Sequence, residues 1–416
     1  MAADARRLRG TALAGALGDA RARTWALVDD LDERHWRPPQ QAGVNPIAWE
    51  LAHVAWFAEF WTTRGPHHFA DGLVHAVQAP RHAGPDAHLD SARLPHARRW
   101  DTPLPERARL REMHAAQLEA TRASIPSDSG GNIDSDSALY LHRLALFHED
   151  MHGEAFAWLR AAVGLPPPPG AALPLLRALP AVQVGAADVS IGWPAGEAGF
   201  AFDNEGHGQR VALETFEIDA TPVSAGAFLR FVESGGYDQP AHWRGAAATW
   251  RAQAARSHPE RWRRGAGGWQ VRWFDHWQPL EPDAPVIHVN AYEAEAFCAW
   301  AGRRLPRAAE WEAAAALQAK PGRAKPGEER PTHGGPEGNQ FTWGHSVWEW
   351  TADNFEPYPG FRPGPYRDYS APWFGDHREL RGGAFATHER MHHPRYRNFF
   401  LPERADVFAG FRTCAI

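Results

Sequence analysis

At 416 residues, with 44% hydrophobic and 23% charged side chains, the chain is too long for one ordinary core and too apolar to be disordered or fibrous, so two domains are expected. A formal net charge of −6, with Lys and Arg scattered singly, argues against nucleic acid and anionic membranes as partners. Cys298 and Cys414 form no spaced framework, and residues 1–25 hold no apolar run of secretory or membrane-spanning length, so the cytoplasm is the expected location.

Apolar spacings of three and four run from about residue 10 to 165 and predict helices. Residues 10–34 give one. Ile47–Trp61 gives a strongly apolar second, opened by Asn45-Pro46 as cap and first-turn proline. Pro105–Ile125 and Leu139–Val163 complete an antiparallel four-helix bundle. The segment from Pro66 to Asp101, rich in His, Pro and Ala, reads as a long functional loop. A proline run at Pro166–Pro169, continued by Pro174 and Pro180, marks a stiff connector over 166–180. It divides a helical domain (1–165) from a second domain (181–416). There, short apolar stretches separated by Gly, Pro, Asn and Asp predict an irregular α+β fold. Helices are expected at Ser224–Ser234, at Tyr292–Ala301 and from about Arg307.

His148 and His152 stand four apart in HRLALFHEDMHGEAF, so on a helix both imidazoles leave one face and can share a metal ion. With 23 histidines in the chain that spacing is weak evidence, and His388 and His392 reproduce it in a stretch unsuited to a regular helix. His53 separates the two pairs, because it lies within an apolar helix that has no obvious partner for a lone imidazole. Three nitrogens from facing bundle helices make a metal site with open positions, suited to iron and zinc alike. Glu149, Asp150 and Glu154 are candidates for orienting the ligating rings. Trp56 and Phe57 are core aromatics that could wall a pocket.

NPIAWELAHVAWFAEFW and FHEDMHGEAF resemble the DinB-like bundle of the ergothioneine-type sulfoxide synthases, histidine triad included. FDNEGH (Phe202 to His207), DATPVSAGAFLRFV, PVIHVNAYEAEAFCAWAGRRLPRAAEWE, VWEWTADNFEPYPGF, LRGGAF and RNFFLPERADVFAGFR resemble their formylglycine-generating-enzyme-like (C-type-lectin-like) domain. The resemblance covers nearly the whole chain. It implies Fe(II) on the triad, with dioxygen as co-substrate driving attachment of a sulfur or selenium donor to imidazole C2 of hercynine, the N-trimethylated histidine. A quaternary ammonium favours aromatic walls, which gives the 20 Trp a use. The resemblance further implies Asn398 as a contact to the hercynine carboxylate, more loosely Arg404, and a tyrosine proton or electron donor, for which Tyr366 and Tyr369 are the candidates.

The chain departs from well-studied relatives, which have Trp-Asp after Arg-Asn where this chain has Phe399-Phe400, and often Gln where it has Met151. Asp86–Trp100 also differs from the usual thiol-binding pattern. Lost charged contacts disfavour gamma-glutamylcysteine and suit the neutral selenosugar of the selenoneine synthase branch. Phe399-Phe400 also occurs in synthases that take cysteine. Two other readings compete: a zinc thiol transferase of the DinB type, which leaves the second domain unexplained, and a cysteine-based formylglycine-generating role, for which Cys298 and Cys414 are poorly placed.

Overall fold

The computed structural model describes residues 4–126, 133–319 and 343–416. In the first domain, helices α1 (Gly10–Ala26), α2 (Ile47–Thr63), α4 (Arg107–Ala123) and α5 (Ile133–Val163) form the bundle, with a one-turn α3 (Asp86–Leu89) against α2. Every residue of α2 from Ile47 to Trp61 is buried, as befits a helix that is apolar all round. Its expected Asn45 cap does not form. Pro46 precedes the helix with no side-chain cap, and the Asn45 Oδ1 instead accepts from Arg99 at 2.6 Å. The first helix ends at Ala26 and does not run to 34, since Asp29 and Asp30 beyond it bond Arg107 and Arg160 of neighbouring helices.

The segment after α2 is not a structureless loop. It holds a hairpin of β1 (His67–Ala70) and β2 (Leu73–Ala76), turned by Asp71 and Gly72 at φ 53° and 77°. Asp-Gly is a favoured pair for that two-residue turn, a signal the compositional reading passed over. Residues 164–181 carry neither helix nor strand.

Beyond them come β3 (Val182–Val184), β4 (Ala187–Ile191), β5 (Gln209–Leu213) and β6 (Phe216–Ile218), paired β3 with β6 and β4 with β5. Helices α6 (Ala225–Glu233) and α7 (Ala246–Ala254) lead to a three-stranded meander, β7 (Trp262–Gly265), β8 (Gly268–Trp273) and β9 (His276–Pro279). Helices α8 (Ala291–Ala301) and α9 (Ala308–Ala319) precede a central sheet ordered β12-β11-β10-β13, from Trp348–Asn354 (β10), Arg378–Gly382 (β11), Asn398–Phe400 (β12) and Ala409–Gly410 (β13). Ser224 caps α6, and Asn290 with Glu293 closes a capping box on α8, so both helices start where their polar residues dictate.

The motifs of this domain are largely structural. Glu379 is buried between Arg381 and Arg397, each 2.7 Å away. Glu349 takes the Arg412 guanidinium and the Trp311 indole N–H, which places VWEW and GFR at one buried ion pair. Removing one partner of such a pair leaves a bare buried charge, costing about 3–5 kcal/mol. Gly382 has φ 98°, and a Cβ there would lie 3.0 Å from the Gly344 Cα, so the position suits glycine. Cys298 and Cys414 are unbridged and buried, as small apolar fillers.

Candidate metal centre

Helix α2 presents His53 and α5 presents His148 and His152, with ligand nitrogens all within 4.8 Å of one another. The four-residue step on α5 puts its two rings on one face, 4.5 Å apart between centroids, and the His53 ring lies 5.2 and 5.1 Å from them. Among the described residues His388 and His392 form no such group. They flank a short 3-10 turn, Glu389–Met391, and His392 packs on His345.

Two of the three rings are held at Nδ1. The His53 Nδ1–H donates to the Leu89 carbonyl at 2.7 Å, and His152 Nδ1 meets Glu50 Oε1 at 2.7 Å. Both rings therefore offer Nε2 as a lone pair, the tautomer a metal requires. The third, His148, lies flat on Phe57 at 3.5 Å and 3°. Burial, reinforced by the neighbouring imidazoles, holds His53 and His148 well below the ordinary imidazole range, so they stay neutral. Three closely packed imidazoles, two of them oriented through Nδ1, fit a divalent first-row metal.

The carboxylate that holds a ring of the triad is Glu50, and not Glu149, Asp150 or Glu154 as expected. Residues one and two steps from His148 or His152 are turned about 100° and 200° around the helix and point elsewhere. Glu149 takes Arg21 at 2.6 Å, and Asp150 takes Arg390 at 2.8 Å. Glu154 accepts the Trp348 indole N–H and the Thr387 hydroxyl, both at 2.6 Å. The Asp150 and Glu154 bonds dock the second domain on α5, and Glu149 ties α5 to α1 within the bundle. Glu50 was missed because its partner lies on another helix, although a Glu one turn before a helical His is a known bundle pattern.

The other candidates fall into three groups. Trp56 and Tyr366 adjoin the triad: Trp56 stacks on His53 at 5.6 Å and donates its N–H to Asp86 at 2.8 Å, and the Tyr366 ring lies 6.3 Å from His148. Tyr369 and Phe399 stand behind. Tyr369 packs 6.0 Å from Tyr366 with its hydroxyl 3.7 Å from Met151 Sδ, and Phe399 stacks on Phe355 at 4.1 Å, edge-on to Tyr369. Asn398 and Phe400 sit on β12. Asn398 Oδ1 accepts the Phe399 N–H at 2.9 Å, and Arg404 lies over Phe400 and Trp158 while paired with Asp406. Burial raises the Tyr366 and Tyr369 phenols, which keeps both protonated as O–H donors.

Comparison with known proteins covers both halves. Residues 16–156 match the DinB superfamily, and residues 180–346 and 338–415 match the sulfatase-modifying factor enzyme 1-like domain. The chain is 32% identical to the hercynine oxygenase of Mycolicibacterium thermoresistibile, over 96% of this chain and 94% of that one. It is 33% identical to that of Mycobacterium tuberculosis, over 96% and 97%. The formylglycine-generating enzyme of Streptomyces coelicolor is 30% identical over 61% of this chain and 96% of its own.

Proposed function

Because the chain belongs to the hercynine oxygenase family, and is an enzyme of that kind, we propose that it joins a chalcogen donor to imidazole C2 of hercynine in a dioxygen-dependent reaction, with Fe(II) held by His53, His148 and His152. The observation that carries this reading is the nitrogen triad with two tautomers fixed by Leu89 and Glu50. Iron there supplies the redox chemistry by which dioxygen oxidises the two partners as they join.

The protein's residues divide the remaining work. Asn398 accepts the Phe399 N–H at its carbonyl oxygen, and its amide NH2, unpartnered among the described residues, donates to the hercynine carboxylate. Phe399 and Phe400 supply aromatic walls for the trimethylammonium. Arg404 acts on substrate through Phe400, since Asp406 takes its guanidinium in two bonds, at 2.9 and 2.6 Å. Tyr366, nearer the triad than Tyr369, is the proton donor. Burial under Phe57 and Trp61 excludes water from the triad's apolar side.

A selenosugar is the favoured donor, because Phe399, Phe400 and Met151 leave no charged side chain where a zwitterionic thiol needs one. Cysteine and gamma-glutamylcysteine are the alternatives. The test incubates Fe(II)-loaded protein with hercynine and, separately, a selenosugar, cysteine and gamma-glutamylcysteine, in air and under nitrogen, with mass spectrometry of the products. The reading expects an adduct at C2 only in air and chiefly with the selenosugar. Adduct under nitrogen would point to non-oxidative thiol transfer on zinc instead.

A further inference from the structure

A small cavity opens beside His53, and its lining is divided by chemistry. Part of the lining is aromatic, with Trp56, Phe60, Trp61 and Tyr366. Its polar wall is made by Asp90, Ser91 and Asp368, which come from the two domains.

The two carboxylates are differently engaged. Asp90 accepts the Ala92 N–H and the Arg93 Nε, both at 2.9 Å. The Asp368 carboxylate has no hydrogen bond or ion pair among the described residues, since Trp373 takes its backbone carbonyl. Asp368 is close enough to Asp90 that its charge adds to the effect of burial in raising the Asp90 carboxyl. Among the described residues the one cation bonded to this wall is Arg93, already on Asp90. The wall therefore presents a free acceptor and a local negative charge.

That combination discriminates among ligands. A thiol carrying carboxylates would set like charges together in a partly desolvated space. Hydroxyl groups would donate to Asp368 in charge-assisted bonds. A trimethylammonium is served less well. Phe57 has a face on His148, Trp56 one on His53, and Phe60 one under the Arg64 guanidinium at 5.1 Å, which repels a second cation.

We propose that Asp368, supported by Asp90 and Ser91, is the specificity determinant that admits a neutral, polyhydroxylated chalcogen donor beside the metal ligands and turns away carboxylate-bearing thiols. The proposal rests on the hercynine reading above and assigns its second substrate to this cavity. Ser91 and Tyr366 line the same cavity, so the donor wall adjoins the proton donor. The cavity is about 20 Å³, room for one water, so binding of a sugar here requires it to widen beside Tyr366 and Asp368.

The test uses Fe(II)-loaded full-length protein, saturating hercynine and four donors: 1-thio-β-D-glucose, its selenium analogue, cysteine and gamma-glutamylcysteine. Asp368→Asn is expected to raise KM for both sugars about tenfold or more, the effect of weakening a hydrogen bond to a charged group, while KM for hercynine stays within about twofold. Asp368→Lys is expected to lower KM for gamma-glutamylcysteine. Ser91→Ala is expected to raise the sugar KM as well, and guards against a misfolded Asp368 variant. Calorimetry under nitrogen should show the same loss of sugar affinity without turnover. An unchanged sugar KM in Asp368→Asn, or a hercynine KM that rises in step, would overturn the proposal. Failure of the wild type to modify hercynine with any donor would instead overturn the functional reading beneath it.

Discussion

Glu50 of α2 reaches across to α5 and holds His152 through a 2.7 Å contact at Nδ1, while its second oxygen is buried with no partner among the described residues. One helix thus supplies both His53 of the triad and the group that holds the His152 ring on its neighbour. Glu50→Gln keeps an acceptor for the ring N–H but removes the charge. Glu50→Ala removes both and frees the ring to turn. Metal affinity, measured by competition with a chelator, should fall about 10- to 100-fold in Glu50→Ala and less in Glu50→Gln. Equal affinities in all three proteins would show that Glu50 is packing only.

Tyr366 and Tyr369 make separable predictions because their hydroxyls face different neighbours, Ser91 for the first and Met151 for the second. Tyr366→Phe keeps the ring against Phe57 and removes the proton, so kcat should fall about 100-fold or more with KM for hercynine little changed. Tyr369→Phe should cost much less. A reversed ranking in steady-state kinetics would move the proton donor to Tyr369.

Stability should carry a pH signature from Glu293, a capping residue of α8. Burial pushes its carboxyl from 4.5 up to about 7, against the pull of the Tyr237 hydroxyl and the Asn290 N–H. The folded state therefore binds this proton more tightly than the unfolded state. The resulting stabilisation is complete below about pH 4.5 and is lost as pH rises through 7. Denaturant unfolding of wild type and Glu293→Gln at pH 5 and pH 8 should show the variant gaining on wild type at the higher pH, by on the order of 3 kcal/mol. A difference that does not change with pH would contradict the assignment.

The triad was legible because helical periodicity places His148 and His152 on one face and because His53 lies in a helix too apolar for a lone imidazole. Glu50 was not, since which face of α2 meets which face of α5 is decided by packing. The same limit explains Glu149, Asp150 and Glu154, which are adjacent in sequence to the ligands but serve Arg21, Arg390 and Trp348. The second domain was legible as α+β. Its sheet order was not, because β13, only two residues long, pairs in parallel with β10 from far along the chain. The β1–β2 hairpin was readable from Asp71-Gly72, and composition obscured it. Asp368 drew no notice in the sequence because its meaning comes from Asp90, which lies in the other domain.

The most direct test of the account is the iron content and aerobic turnover of hercynine in His53→Ala, His148→Ala and His152→Ala, each purified, reconstituted with Fe(II) under nitrogen and checked for folding by circular dichroism. The account predicts that each folded variant loses tightly bound iron and with it the dioxygen-dependent product. Retention of one iron per chain and of turnover in any two of them would show that the three histidines do not form the metal site.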